Sequence, residues 1–314
     1  MQIVLATGAP SLDLESLLEN DPHLVSIHTT RQYKSNLQDF DAWRHGREIT
    51  KTLVESYAAY LQGIPLAPRT VNQKLASVRW MVRKLVDLAA DYAPGADPET
   101  IKRLARVALV EDVKGDSPEK GRHLAAGELS ALISASKADK NKPAGARDAA
   151  LFALAWSTGL RREELTAIQM DELARTDEGI DIQVIGKGRK ARTVFINDGA
   201  LNYLMDWLDL RGTDPGALFC KVNKAGKIRT GKMSGESLRK LLYRRSLQAG
   251  LAQEITWHDF RRTFAGNLWE SNIDGSTIQD LMGHATQDQS KRYDRRPKDR
   301  LRRAVKVLHV PYSK

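Results

Sequence analysis

Apolar residues recur at helical spacing through most of the first third of the chain. Over residues 66–90, Val71, Leu75, Val78, Val82 and Leu85 fall within about one quadrant of a wheel stepped at roughly 100° per residue, which predicts one long amphipathic helix. Arg69, Arg83 and Lys84 fall on the far side, where a cationic face is either solvated or laid along DNA. Leu14, Leu17 and Leu18 repeat at the same spacing in an acidic opening segment. Thr29 or Thr30 is placed to cap a helix running through Trp43, and 49–61 supplies another. Residues 11–92 therefore read as helical throughout, without a convincing strand, and 98–110 adds one more helix.

The pattern breaks at 112–121, a polar, charged stretch bearing Gly and Pro that has the composition of an interdomain linker. The division predicts a helical domain at 1–111 and a second domain at 122–314. In the latter, helical patterns at 127–136 and 146–157 give way to alternation over 179–196, which reads as a hairpin around Gly186, Lys187 and Gly188. Helices resume near 199, with a short apolar strand at 217–222. The fold class that follows is mainly α with a small β-sheet or hairpin: an all-helical first domain and an α+β second one.

A length of 314 residues agrees with two domains, and 41% hydrophobic with 28% charged residues excludes a disordered chain or a fibre. Charge changes the picture more. Lys and Arg number 49 against 39 Asp and Glu, a net +10 with a pI near 9.6 that suits a polyanionic partner. The excess is local. Residues 221–245 carry nine cations and one acid, and 289–306 carry nine cations and two acids, so the rest of the chain is net acidic. No apolar run approaches the roughly 20 residues that span a bilayer, and the N-terminus has no basic leader, so the expectation is a soluble protein of the cytoplasm, at the nucleoid. A single cysteine, Cys220, excludes an intrachain disulfide and reads as a small buried hydrophobe.

Several chemistries fall away. Residues 226–233 fit the phosphate-loop spacing until Met233 stands where a hydroxyl would meet magnesium, and a flexible basic loop is the better reading. The seven histidines include no pair at metal-ligand spacing, and no Gly-x-Ser-x-Gly elbow occurs. What remains is scattered. Arg161 opens a helix, with Glu164 three residues on and able to return its carboxylate to the guanidinium. Lys187 sits at a hairpin tip between glycines. His258 and Arg261 lie one helical turn apart, and Leu-Met-Gly-His284 is followed nine residues later by Tyr293. Singly, each is an ordinary surface ion pair, turn lysine or packed aromatic.

In this order and at these spacings, the set resembles the tyrosine recombinases, the phage integrase family. Arg161 matches the arginine of the Gly-Leu-Arg-x-x-Glu-Leu box, Lys187 the hairpin lysine, and His258 and Arg261 the His-x-x-Arg box. His284 matches the Leu-Gly-His element and Tyr293 the nucleophile. Arg261 and His284 stand 23 positions apart, which is typical of the family. Met282 in place of the commoner Leu, and a more polar 285–292 segment, are the departures. The short stretch before residue 11 points to a Xer or Cre architecture without an arm-binding domain, the first domain being the core-binding one.

The resemblance implies a site-specific recombinase that cleaves and rejoins DNA through a 3′-phosphotyrosyl intermediate, without metal or other cofactor. Arg161 and Arg261 would hold the nonbridging oxygens of the scissile phosphate, and Lys187 would protonate the departing 5′ oxygen. His258 would assist proton transfer at Tyr293, His284 would hydrogen-bond the phosphate, and Glu164 would support Arg161. Cations expected on DNA are Arg69, Arg83, Lys84, Arg189, Lys190, Arg239, Lys240, Arg244, Arg262 and Arg292. Among the eight tyrosines, Tyr312 in the tail is the one decoy for the nucleophile. The partner is double-stranded DNA, engaged by a homotetramer on two sites from a monomer or dimer when free, with a tail helix at 299–308 docked in a neighbouring subunit. No accessory translocase or directionality protein is named by the sequence. The alternatives are a type IB topoisomerase and a non-catalytic DNA-binding regulator. The clustered charge predicts that DNA affinity falls steeply with salt, measured as the slope of log affinity on log salt; a flat response would contradict a phosphate-based interface.

Overall fold

The computed structural model describes residues 2–3, 12–19, 21, 27–92, 97–116, 121–186, 190–284 and 286–294. They divide into two units, Met1–Glu119 and Lys120–Lys314. In the first, an antiparallel pair, β1 (Gln2–Ile3) and β2 (Leu12–Asp13), precedes α1 (Leu14–Glu19), α2 (Ile27–Arg44), α3 (Lys51–Gln62), α4 (Pro68–Tyr92) and α5 (Pro98–Ala105). A 3-10 turn, Arg106–Leu109, completes the last helical segment. Strand β2 departs from the all-helical expectation, because two residues are too few to show alternation. Helix α2 begins at Ile27, ahead of the threonines expected to cap it.

The apolar stripe of α4 does what its periodicity requires. Val71, Leu75, Val78, Val82 and Leu85 are buried against Leu37 and Phe40 of α2 and Val54 and Tyr57 of α3. Asn36 places a buried polar pair in this core, donating to Ser77 Oγ at 2.9 Å. Thr50 caps α3 by accepting from Leu53 N at 3.1 Å, and Asp97 caps α5 through Glu99 N and Thr100 N. The start of the 112–121 segment is tied to α4: Asn72 exchanges hydrogen bonds with both backbone groups of Val113, and Arg79 reaches Val110 O and Asp112.

The second unit contains α6 (Ala126–Lys137), α7 (Lys142–Thr158), α8 (Arg162–Ala167), β3 (Leu173–Thr176), β4 (Gly179–Ile185), β5 (Ala191–Ile196) and α9 (Asp198–Arg211). These are followed by β6 (Cys220–Val222), β7 (Ile228–Lys232), α10 (Gly235–Gln248), α11 (Trp257–Glu270), α12 (Gly275–Met282) and α13 (Gln287–Lys291). Strands β3, β4 and β5 form an antiparallel sheet in that order, with Ile182 opposite Val194. Ile180, Ile182, Val184, Val194 and Ile196 turn one face into the core, which is the alternation visible in the sequence. Helix α7 runs through that core, with Phe152 stacked on Trp257 and Phe260 of α11 at 5.6 and 5.9 Å. No helix among the described residues is long and apolar enough to cross a membrane.

Two expectations change here. The stretch read as a flexible loop at 226–233 is mostly β7, paired antiparallel with β6, and its turn is fixed by Asn223, whose amide donates to Lys227 O, whose carbonyl accepts from Gly226 N and whose Oδ1 accepts from Lys227 N. The strand expected at 217–222 is limited to Cys220–Val222, with Ala217 bridging Gln169 instead. Short strands rich in lysine lack the apolar signature that marks a half-buried strand.

A buried ion cluster near the start of α7 fastens these pieces. Asp148 Oδ1 accepts from Arg147 at 3.0 and 2.6 Å, and Oδ2 accepts from Arg245 of α10 at 2.9 and 2.7 Å. Arg245 continues to Asp139 and Gln248, and Arg147 to the carbonyl of Cys220. Asp148 and Arg245 are wholly buried, so neither charge can be left alone. Asp148→Ala should cost about 3–5 kcal/mol by chemical denaturation, because buried Arg147 loses its carboxylate partner and buried Arg245 is left with Asp139 alone of the two it holds; a loss below about 1 kcal/mol would refute this account.

Candidate active site

Helix α7 ends at Gly159, whose φ of 60° and close approach to the Phe264 ring leave no room for a side chain. The turn buries Leu160 and delivers Arg161 to the N-cap of α8. Glu164, at the third position of that helix, returns Oε2 to the Arg161 amide at 2.8 Å and Oε1 to Arg161 Nη1 at 2.8 Å. Arg192 of β5 takes the same carboxylate from the other side, Nη1 to Oε1 at 3.2 Å and Nη2 to Oε2 at 2.8 Å. Glu164 is 7% exposed. Burial alone would raise its pKa, but the hydrogen bonds from Arg192 and Arg161 override that and hold it at about 2.

Arg261 rises from α11 and is 2% exposed. Its Nη1 donates to Gly159 O at 2.7 Å and its Nη2 to Met282 O at 2.6 Å, which aims the fork between the end of α7 and the end of α12. Burial, then the charge of Arg161, brings its pKa down to about 9, so it remains a cation at neutral pH. His258, one turn earlier on the same helix, sits at the surface of the site. Desolvation of its inner edge and the charges of Arg261 and Arg262 lower its pKa.

Asp274 caps α12 through Ser276 N and Thr277 N at 2.9 Å, and Gly283 ends it in the left-handed region at φ 60°. His284 follows. Its Nδ1 lies 2.7 Å from Ser290 Oγ, and its ring stacks on Tyr293 at 6.0 Å. Ser290 is wholly buried, and its carbonyl accepts from Trp269 Nε1 and from the Tyr293 amide, both at 3.0 Å. The Tyr293 ring lies 6.3 Å from that of His258 and 5.7 Å from the Arg262 guanidinium, and packs against the cluster of Ala265, Trp269, Ile278 and Met282. Burial first, and then Arg261, Arg161 and Arg192, push His284 down to about 4.

Arg161, Glu164, His258, Arg261, His284 and Tyr293 thus converge from four segments of the chain. Lys187 and Arg189 lie outside the described residues, as do the 299–308 tail helix and Tyr312; Gly186 and Lys190 beside the hairpin tip are joined by a 2.8 Å backbone bond. Arg192 and Ser290 are the residues the sequence reading passed over. A cleft of about 730 Å³ opens beside the site, lined by Arg161, His258 and Arg261 and by Leu242, Tyr243 and Leu247.

The cations expected on DNA are placed unevenly. Arg69, Arg83, Lys190 and Arg292 are exposed. Arg239 and Lys240 are exposed beside Glu236 at 2.8 and 3.8 Å, and Arg244 reaches Asp148 at 3.3 Å while half of its side chain stays in solvent. Lys84 pairs with buried Asp21 at 3.2 Å. Arg262 faces the Tyr293 ring.

A mainly helical unit carrying small antiparallel sheets around such a constellation has the fold of the tyrosine recombinases. Solved structures bear the likeness: the transposon integrase of Tn1549 in complex with transposon right end DNA has a TM-score of 0.65 at 16% identity, over 94% of this chain and 98% of that one. A lambda integrase dimer bound to a core site has a TM-score of 0.59 at 18% identity, over 90% and 94%. The phage integrase family pattern matches residues 122–300. The tyrosine recombinase XerD of Lacticaseibacillus casei is 30% identical over 82% of this chain and 84% of its own, and that of Rickettsia bellii is 26% identical over 96% and 97%. The chain belongs to the phage integrase family, the tyrosine-type recombinases that cleave and rejoin DNA at specific sites. These relatives lend no support to the topoisomerase alternative.

The low pKa of His284 sets a direction for stability. The unfolded chain takes up this proton near pH 6.5, while the folded one resists until about 4. Between those values the wild type should lose stability relative to His284→Gln, and the gap should stop widening below about 4. Denaturation midpoints across that range check it; parallel curves for the two proteins would contradict the half-buried, neutral imidazole.

Proposed function

We propose that Tyr293 is the nucleophile of the recombination reaction and that the residues converging on it carry the chemistry. Its oxygen attacks the scissile phosphorus, the bond to the 5′ oxygen breaks, and a 3′-phosphotyrosyl link and a free 5′ hydroxyl result. The reverse attack by another strand's 5′ hydroxyl restores a phosphodiester and frees the tyrosine. The observation that carries this reading is the position of the Tyr293 ring, 6.0 and 6.3 Å from the two histidines and beside the cleft that Arg161 and Arg261 line.

A tyrosine of ordinary pKa is only about 0.1% ionised at pH 7, so its proton must leave as the bond forms. His258, kept neutral by its surroundings, is the acceptor. Arg161 and Arg261 place planar forks on the nonbridging oxygens, which gain charge in the pentacoordinate transition state. Neutral His284 serves the same phosphate in the tautomer that carries its proton on Nε2; the Ser290 hydroxyl, 2.7 Å from Nδ1, can donate to that nitrogen in this form. Lys187 protonates the departing oxygen, a role read from its place between β4 and β5.

The DNA partner is supported by the company the fold keeps. XerH in complex with its difH substrate has a TM-score of 0.54 to this chain at 19% identity, over 94% of each. On this reading the first unit is the core-binding domain, the second the catalytic domain, and a tetramer assembles on two duplexes. The exposed cations from Lys221 to Arg244 hold phosphates. Lys221 and Arg229 stand directly opposite each other on β6 and β7, an arrangement that repels until an anion lies across it.

A nicked duplex selected from a random pool on Tyr293→Phe protein traps the covalent step. Wild type should accumulate a protein–DNA adduct, Tyr293→Phe none, and Tyr312→Phe as much as wild type. An adduct that persists in Tyr293→Phe overturns the assignment of the nucleophile.

A further inference from the structure

We propose that Arg192 is a positioning residue for strand cleavage, holding Glu164 with both ends of its guanidinium and the end of α12 with its Nε, and so fixing Arg161 relative to His284. The inference rests on the recombinase reading above and adds to it a residue that touches no substrate. Arg161 comes from the start of α8, His284 from beyond α12, and no backbone ladder joins the two. Arg192 does. Its Nη1 and Nη2 reach the two oxygens of Glu164 at 3.2 and 2.8 Å, and its Nε donates to Leu281 O at 3.1 Å.

The neighbouring contacts make this clamp specific to arginine. Glu164 shares the same two oxygens with the Arg161 side chain and amide, so the carboxylate is held from both sides. The carbonyl next to Leu281, that of Met282, takes Arg261. Two consecutive carbonyls at the end of α12 are thereby gripped by two guanidinium groups, where the helix leaves its acceptors unpaired. Gly283 then lies flat on the Arg192 side chain, and a Cβ there would stand 3.0 Å from Nη1 and 3.1 Å from Cδ. A lysine offers one ammonium and cannot span a carboxylate and a carbonyl with fixed angles.

Without this clamp Glu164 would answer to Arg161 alone. The guanidinium meant for a phosphate would be drawn onto the carboxylate, and the His284 end of α12 would keep Arg261 but lose its second guanidinium tie. Misplacement by about 1 Å can cost on the order of a hundredfold in rate while leaving binding intact. The loss would therefore appear in the cleavage step and not in affinity.

The test follows single-turnover adduct formation on the selected nicked duplex, normalised to DNA-binding-competent protein. Arg192→Lys should bind within about threefold of wild type and cleave about a hundredfold more slowly. Glu164→Gln should also cleave slowly, and combining the two changes should add little to either, because both act through one contact. Arg192→Met with Glu164→Gln, which removes the buried charges together, supplies a folded protein if Arg192→Lys is unstable, and it too should bind and fail to cleave. Wild-type cleavage rates in Arg192→Lys or in the Met/Gln pair would overturn the proposal, whatever their melting temperatures, as would strictly multiplicative losses in the cycle. An absence of adduct in the wild type would instead count against the recombinase reading itself.

Discussion

The carboxylate of Glu164 is surrounded by cations it must serve at once. Arg161 and Arg192 both bond to it, and Arg261 lies close enough for its charge to be felt. A site that binds a phosphodiester has to keep positive charge together before the anion arrives, and like charges at that spacing repel. One buried carboxylate is enough to hold two of the three in a fixed geometry while leaving the group net positive. Were it fully compensating, nothing would remain to attract the phosphate; were it absent, the arginines would turn outward to solvent.

The consequences reach the other residues of the site. The same positive field, acting with burial, keeps His284 neutral well below physiological pH and lowers His258. Both imidazoles are therefore in the form that can accept a proton or donate one hydrogen bond, and neither adds a further charge that would loosen the arginines. Ser290 then holds the His284 ring in place, its hydroxyl able to donate to Nδ1 or to accept from it as the tautomer requires. Proton placement thus follows from where the cations sit.

Much of this is legible in the amino-acid sequence. The quadrant of α4, the alternation of β4 and β5 and the Arg161–Glu164 spacing each translate directly into an observed element or contact, because helical and strand periods are local rules. The motif order also picks out the residues that meet around Tyr293. What escapes are the groups that act through long-range contacts. Arg192 reads as one more basic residue of a strand, and nothing near it in the chain announces a partner 28 positions away. Ser290 lies in a polar segment that gives no sign of a wholly buried serine. Asp148 is likewise hidden, since its Arg245 partner is 97 residues distant. Strand β7, and so its pairing with the expected β6, is missed for another reason: its cations mask the apolar alternation by which strands are recognised.

Helix α7 has an arginine–carboxylate cluster near each end, and the contrast between them shows how one chemistry serves two purposes. At Asp148 the two innermost partners are closed on the protein, while Arg244, 3.3 Å from Oδ2, keeps about half of its side chain in solvent. Arg245 is wholly buried, with donors given to Asp148, Asp139 and Gln248, and Arg147 gives its own to Asp148 and a carbonyl. Such a cluster can only hold elements together, and the desolvation cost of its charges is offset inside the fold. Beyond the other end, Arg161 gives Nη1 to Glu164 and lines an open cleft with about a third of its side chain in solvent. There the compensation is incomplete, and the open guanidinium face is where the proposed reaction would place the scissile phosphate. Both clusters set guanidinium groups around a buried carboxylate, and they differ in how far the innermost arginines face water: Arg245 not at all, Arg161 for about a third of its side chain.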